Sequence, residues 1–147
     1  MNMKKSQALI NELLVDVFNH ILSIEEAELR KAGIKLSMNE VHILEAVKNV
    51  EYPTMTNIAK RLRITTGTLT TSIDRLVQKK YVVRANDEND RRKVLIQLTP
   101  SATDVLKAHD KFHSEMVEAL FEDMKIDEDE VLVKSLESIA EFFRSKY

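Results

Sequence analysis

Apolar residues recur along this chain in two rhythms, and the change between them marks its parts. Ile10, Leu13, Leu14, Val17, Ile21 and Ile24 fall at spacings of three and four. That stripe predicts one helix from about Ser6 to Ala32, with Gly33 as its stop. A second helix is expected to open at Ser37, where Glu40 three positions on completes a capping box. It continues through Val41, Leu44 and Val47, and Tyr52-Pro53 marks the break that follows. Thr54 then predicts the cap of a short helix through Leu62, and Thr65 the cap of the next, which runs to about Lys79. From Val82 the rhythm shortens. VVRAN and KVLIQLT are rich in β-branched residues and flank the polar DENDRR, which predicts a hairpin. Pro100 suits the first turn of a long helix through Met124, and Ile126-Asp127 leads to a last helix ending near Tyr147.

The expected fold class is mainly α with a small β wing: a winged helix-turn-helix over 34–99, between an N-terminal helix (1–33) and two C-terminal helices (100–147). Those outer helices are more apolar than so small a central core needs. Stripes run along Val105, Phe112, Met116 and Leu120, and along Val133, Leu136, Ile139, Ala140 and Phe143. They either cover their own subunit or intertwine with a second copy. Homodimerisation is the expectation, because helix-turn-helix proteins commonly pair to read two half-sites.

Composition narrows the classes further. The chain holds 2 glycines and 2 prolines in 147 residues, as a mostly helical protein should. Without cysteine it has no disulfide, thiolate metal site or thiol redox sensor. The start, MNMKKSQALIN, lacks a long apolar run and a cleavage-like region, so no signal peptide is expected. No stretch approaches the ~20 apolar residues of a membrane helix, and a cytoplasmic location is expected. There is no glycine-rich phosphate loop and no nucleophile beside a base, so neither an enzyme nor a cofactor is expected.

Net charge alone misleads. The total is −2, yet Lys60 to Lys93 holds ten basic residues against four acidic ones, and the remainder twelve against twenty. Such asymmetry is the electrostatic footprint of a polyanion partner, here double-stranded DNA. On the helix from Thr65, at 100° per residue, Leu69, Ile73 and Leu76 share the inward face. Thr68, Thr71, Arg75 and Gln78 lie opposite, the side chains that would enter a major groove. Threonines reach only short distances, so much of the specificity is expected from DNA shape. Thr65, Thr66 and the free N–H groups of that helix start are expected to hold a phosphate. The hairpin tip carries Asp90, Arg91 and Arg92. A basic tip can lay an arginine into the adjacent minor groove, with Asp90 orienting its neighbour.

A second set of residues invites another chemistry. His109 and His113 sit four apart within the apolar stripe of their helix, and His42 lies in a helix apolar nearly all round. Glu25 and Glu28 are expected to turn into the apolar face of the first helix, and Glu26 away from it. Three imidazoles and a carboxylate suit tetrahedral Zn²⁺; buried histidines also form hydrogen-bonded networks with glutamate. The network is the preferred reading, and no metal ligand is assigned. Either way the set would couple an effector to the spacing of the DNA-reading heads. His20 lies off the stripe and is expected at the surface.

The order of elements, with Asp87, Asp90, Arg91, Arg92 and then Leu98-Thr99 in the pattern D-x-x-DRR-x-x-x-x-x-LT, closely resembles the MarR family of bacterial winged-helix regulators. The resemblance spans nearly the whole chain. It implies a homodimer built from the first and last two helices, binding a pseudo-palindromic operator, with Arg92 as the minor-groove arginine and Asp90 its positioning partner. VFNHILSIEEAELR, ITTGTLTTSIDRL and HDKFHSEMVEAL further resemble the branch that represses fatty-acid synthesis genes. That branch implies acyl carrier protein bearing a long acyl chain as partner and co-repressor. Zinc-sensing members of the same family use a set similar to the histidines, which keeps a zinc-responsive repressor of metal-uptake genes as an alternative; a regulator with another small-molecule effector is a third. A winged helix serving only protein contacts remains a rival of a different class.

Overall fold

Ser37 accepts a hydrogen bond from the Glu40 amide at 3.2 Å while the Glu40 carboxylate accepts one from the Ser37 amide at 3.1 Å. This reciprocal pair starts helix α3 (Met38–Asn49) where the spacing predicted it. The computed structural model describes residues 4–147. Residues 1–3, where the expected N-terminal segment and the reading of no signal peptide begin, lie outside the described residues.

Before α3 the chain runs through α1 (Lys5–Glu12), a π-helical turn (Leu13–Val17) and α2 (Phe18–Lys31). The sequence predicted an uninterrupted α-helix, and the difference has a consequence. A π turn takes in one extra residue, so the inward positions after it shift by one. Leu22, Glu25 and Leu29 face the core instead of Ile21 and Ile24. Gly33 ends the segment at φ 74, a left-handed conformation that a side chain would strain.

Thr54 caps α4 (Met55–Leu62) and Thr65 caps α5 (Thr66–Gln78), each accepting the backbone N–H three residues on. Between them Arg63 takes the left-handed conformation, as Lys80 does after α5 and Lys125 after the long C-terminal helix. These helix ends use basic residues where glycine is usual, so no glycine announced them. Strands β1 (Val82–Asn86) and β2 (Val94–Leu98) pair antiparallel, Val82 opposite Leu98 and Asn86 opposite Val94. Helix α6 (Pro100–Met124), a 3-10 turn (Ile126–Glu128) and α7 (Glu130–Lys146) follow.

The main core joins α3, α4, α5, the hairpin and the start of α6 through Val41, Leu44, Ile58, Ile73, Ile96 and Leu106. Packing holds α5 more than helix preference does. Its four threonines and Gly67 cost roughly 3 kcal/mol against alanine, whereas burying Leu69, Ile73 and Leu76 contributes roughly 1.5–3 kcal/mol each. That triad is the inward face expected from the sequence.

The chain divides into two compact units, residues up to Lys107 and Ala108–Tyr147. In the second, Leu120, Leu136, Phe142 and Phe143 are exposed by 40% or more. Leu13, Leu14 and Phe18 of the first unit are likewise exposed. Among the described residues no helix is long and apolar enough to cross a membrane.

Candidate nucleic-acid interface

With Leu69, Ile73 and Leu76 buried, α5 turns Thr65, Thr66, Thr68, Thr71, Arg75 and Gln78 to the surface, all of them exposed. Thr65 Oγ1 accepts the Thr68 amide at 3.1 Å and donates to Thr68 Oγ1 at 2.9 Å. Thr70 donates to the Thr66 carbonyl at 2.8 Å, but Thr71 reaches the Gly67 carbonyl only at 3.5 Å. The Thr71 hydroxyl is therefore weakly held and free to turn outward. Arg75 has no ion-pair partner among the described residues.

The wing tip is built around one carboxylate. Asp90 Oδ1 accepts both the Arg92 amide and Arg92 Nε at 3.1 Å, and Oδ2 lies 3.4 Å from Nη2. These bonds from the Arg92 side chain and amide hold the Asp90 carboxyl below its usual range. The Arg92 side chain stays 91% exposed. A fork gripped on one side and open on the other is a cation with a set direction. Arg91 beside it is also exposed.

Other contacts fix the wing and α5 to each other and to the start and end of α3, and sequence reasoning missed them. Arg84 of β1 pairs with Asp74 of α5 at 2.5 Å. Lys79, just past α5, reaches Glu40 and the Lys35 carbonyl. Thr99 Oγ1 donates toward the carbonyls of Lys80 and Tyr81 at 2.8 and 3.1 Å. The Tyr52 hydroxyl donates to Asp87. The lone signal for these was opposite charge at long sequence separation. Tyr52 gave none beyond its place before Pro53. A cleft of about 490 Å³ opens between the start of α4 and the wing, lined by Thr54, Thr56, Asn57, Arg92 and Lys93 among others.

The histidine and glutamate residues distribute unevenly. In the first unit Glu25 is buried, and His42 is half-buried on α3. Glu28 departs from expectation. Its side chain is 44% exposed and pairs with Lys31 at 3.3 Å, because the shifted register gives the inward position to Glu25. Glu26, expected to point away, accepts the Met38 amide at 3.4 Å. In the second unit His109 is buried and His113 half-buried, their rings edge to face with centroids 4.5 Å apart. Two such imidazoles can start a metal site or a hydrogen-bonded chain. His20 is exposed, as expected. A second, mostly apolar cleft of about 530 Å³ lies at the end of α2, lined by Arg30, Ile34, Lys35 and Leu36 among others.

Comparison with known proteins fits this geometry. The MarR family model matches residues 36–94, from the residue before Ser37 to the first residue of β2. The crystal structure of Streptococcus pneumoniae FabT in complex with DNA superposes with a TM-score of 0.87 at 33% identity, covering 96% of this chain and 99% of that one. This chain belongs to the MarR family. Two curated transcriptional regulators are also similar. The HTH-type transcriptional regulator SarZ of Staphylococcus haemolyticus is 32% identical over 109 residues, covering 71% of this chain and 69% of SarZ. The transcriptional regulator ZitR of Lactococcus lactis is 27% identical over 128 residues, covering 85% and 86%. The MarR match takes in both structural elements described above, the α5 face and the Asp90–Arg92 tip.

Proposed function

We propose that this MarR-family chain is a sequence-specific DNA-binding regulator acting as a homodimer, a repressor of fatty-acid synthesis genes that responds to acyl carrier protein bearing a long acyl chain. The observation that carries the reading is the likeness, over nearly the full length, to FabT, which was crystallised on DNA. Residues 34–99 read the duplex. Residues Thr68, Thr71, Arg75 and Gln78 face the major groove, Thr65 and Thr66 hold a phosphate, and Arg92, aimed by Asp90 with Arg91 beside it, enters the minor groove. The exposed apolar faces of the outer helices, 1–33 and 100–147, pair with a second copy, which presents the basic window twice on a pseudo-palindrome. A regulator of this kind works in the cytoplasm.

Two observations support the acyl effector. The basic helix-turn-helix side suits an acidic carrier protein, and the apolar cleft near Arg30 and Lys35 has the size of a small-molecule site. The His109–His113 pair favours a second reading, a zinc-responsive repressor. Genomic fragments selected by the purified protein decide between them: fatty-acid synthesis promoters support the first, and metal-uptake promoters with chelator-sensitive binding support the second. Affinity for duplex DNA should fall steeply with salt, by ~10³–10⁵ between about 50 and 200 mM for six to ten phosphate contacts. Salt-independent binding would leave only a protein-interaction module.

A further inference from the structure

A two-stranded hairpin is marginal on its own, and seven residues separate the paired ends Asn86 and Val94. Inside that tip the bonds are local: Asp87 N–H to the Lys93 carbonyl and Lys93 N–H to the Asp90 carbonyl, both at 3.0 Å, with Asp90 gripping Arg92. These shape the tip but do not fix it to the body. Tyr52 reaches across. Its hydroxyl donates to Asp87 Oδ2, whose other oxygen accepts the Asn89 amide at 3.0 Å. The Lys93 ammonium lies 5.3 Å from the centre of its ring.

The backbone of Tyr52 is itself anchored. Its carbonyl accepts Asn57 Nδ2 and the Thr54 amide, each at 2.9 Å. The next carbonyl, of Pro53, accepts the Ile96 amide at 2.9 Å, and Thr54 bridges to Leu95. One residue therefore ties the start of α4 to the far end of the wing. We propose that Tyr52 is a positioning residue for DNA binding: its phenol, bound to Asp87, holds the Asp87–Lys93 tip in place and so sets where Arg92 meets the duplex. The proposal rests on the reading of Arg92 as a DNA contact.

The titration of the pair agrees with the geometry. The hydrogen bond to Asp87 pushes the Tyr52 phenol up to about 12, and the same bond holds the Asp87 carboxyl below its ordinary value. Around neutral pH the donor is protonated and the acceptor ionised, which is the stronger form of such a bond.

The test compares Tyr52→Phe, Asp87→Ala, Arg92→Ala and the Tyr52→Phe/Arg92→Ala double variant for affinity to one operator duplex. Phenylalanine keeps the ring beneath Lys93 and removes only the hydroxyl. Tyr52→Phe and Asp87→Ala should each weaken binding about three- to tenfold, less than the full worth of a hydrogen bond to a charged group, because the arginine is displaced and not lost. In the double variant Tyr52→Phe should add nothing to Arg92→Ala, because with the arginine gone the latch has nothing left to position. Amide ¹⁵N relaxation should report faster motion at Asn89 to Lys93, with helicity and oligomeric state unchanged. Loss of affinity in Arg92→Ala but not in Tyr52→Phe would overturn the latch and leave the wing reading standing. Fully additive losses would also overturn it, since Tyr52 would then act elsewhere. A silent Arg92→Ala would overturn both.

Discussion

Lys79 and Glu40 join the end of α5 to the start of α3. The ammonium lies 3.1 and 3.0 Å from the two carboxylate oxygens and 3.1 Å from the Lys35 carbonyl. Glu40 thus serves twice, closing the capping box at Ser37 and anchoring the helix that presents Arg75.

That double role predicts an acid-sensitive contribution to stability. Burial works to raise the Glu40 pKa, but the Ser37 amide and Lys79 outweigh it and hold the carboxyl below its ordinary value. A depressed folded pKa contributes stability above the unfolded value of about 4.3, and the contribution is lost as pH falls through the folded value. Glu40→Gln keeps a side chain able to complete the capping box, so it isolates the charge. Urea unfolding at neutral pH should show a loss of roughly 0.2–1 kcal/mol, shrinking toward zero as the pH falls through the depressed Glu40 pKa. A gap that stays constant with pH would place the effect in packing, not in the ion pair.

Base reading by α5 predicts a different signature from phosphate contact. Thr71 has a loosely held hydroxyl and Arg75 has no ion-pair partner among the described residues, so both are available to base edges. Arg75→Ala should cost about 1–3 kcal/mol on the preferred operator and flatten discrimination at one position. Lys60→Ala, an exposed cation on α4, should weaken all sequences alike and lower the salt slope by about one. The check is a set of single-base operator variants titrated at several salt concentrations. If Arg75→Ala weakens every sequence equally, this helix does not read bases.

Leu136 and Phe143 lie seven residues apart, about two turns, and are 49% and 40% exposed on α7. If α7 pairs with a second copy, Leu136→Glu with Phe143→Glu should produce a monomer in sedimentation velocity and abolish tight operator binding. Far-ultraviolet circular dichroism should change little, because neither side chain supports its own unit's core. A dimer that survives both charges would move the interface to other helices.

Much of this was written in the chain as local signals. Ser37 with Glu40, and the caps Thr54 and Thr65, announce helix starts because each acts within three residues. The β-branched runs around DENDRR announce the hairpin, and Asp90–Arg92 is close enough in sequence to be anticipated. The π turn at Leu13–Val17 was not legible, since its residues suit an α-helix equally, and missing it put Glu28 as well as Glu25 on the buried face. Arg63, Lys80 and Lys125 hide left-handed helix ends behind side chains that do not advertise them. Tyr52–Asp87, Asp74–Arg84 and Glu40–Lys79 are 35, 10 and 39 residues apart; they exist because the core brings the elements together, and no spacing rule reaches that far.

The histidine pair separates two accounts of signalling. His109 is buried beside a half-buried His113, and an imidazole in such a place needs a hydrogen-bonding partner or a metal. If the pair belongs to a hydrogen-bonded coupling network, operator affinity without effector should be the same in His109→Gln/His113→Gln as in the unaltered protein, because glutamine retains donor and acceptor groups. Addition of acyl carrier protein bearing a long acyl chain should then change affinity less in the variant than in the unaltered protein, since the link between effector and DNA heads has been loosened. Chelator should alter neither. A zinc sensor behaves in the opposite way: chelator shifts operator affinity of the unaltered protein, and the glutamine variant is blind to added zinc. An effector response identical in both proteins, with no influence of metal, would leave His109 and His113 as packing residues alone.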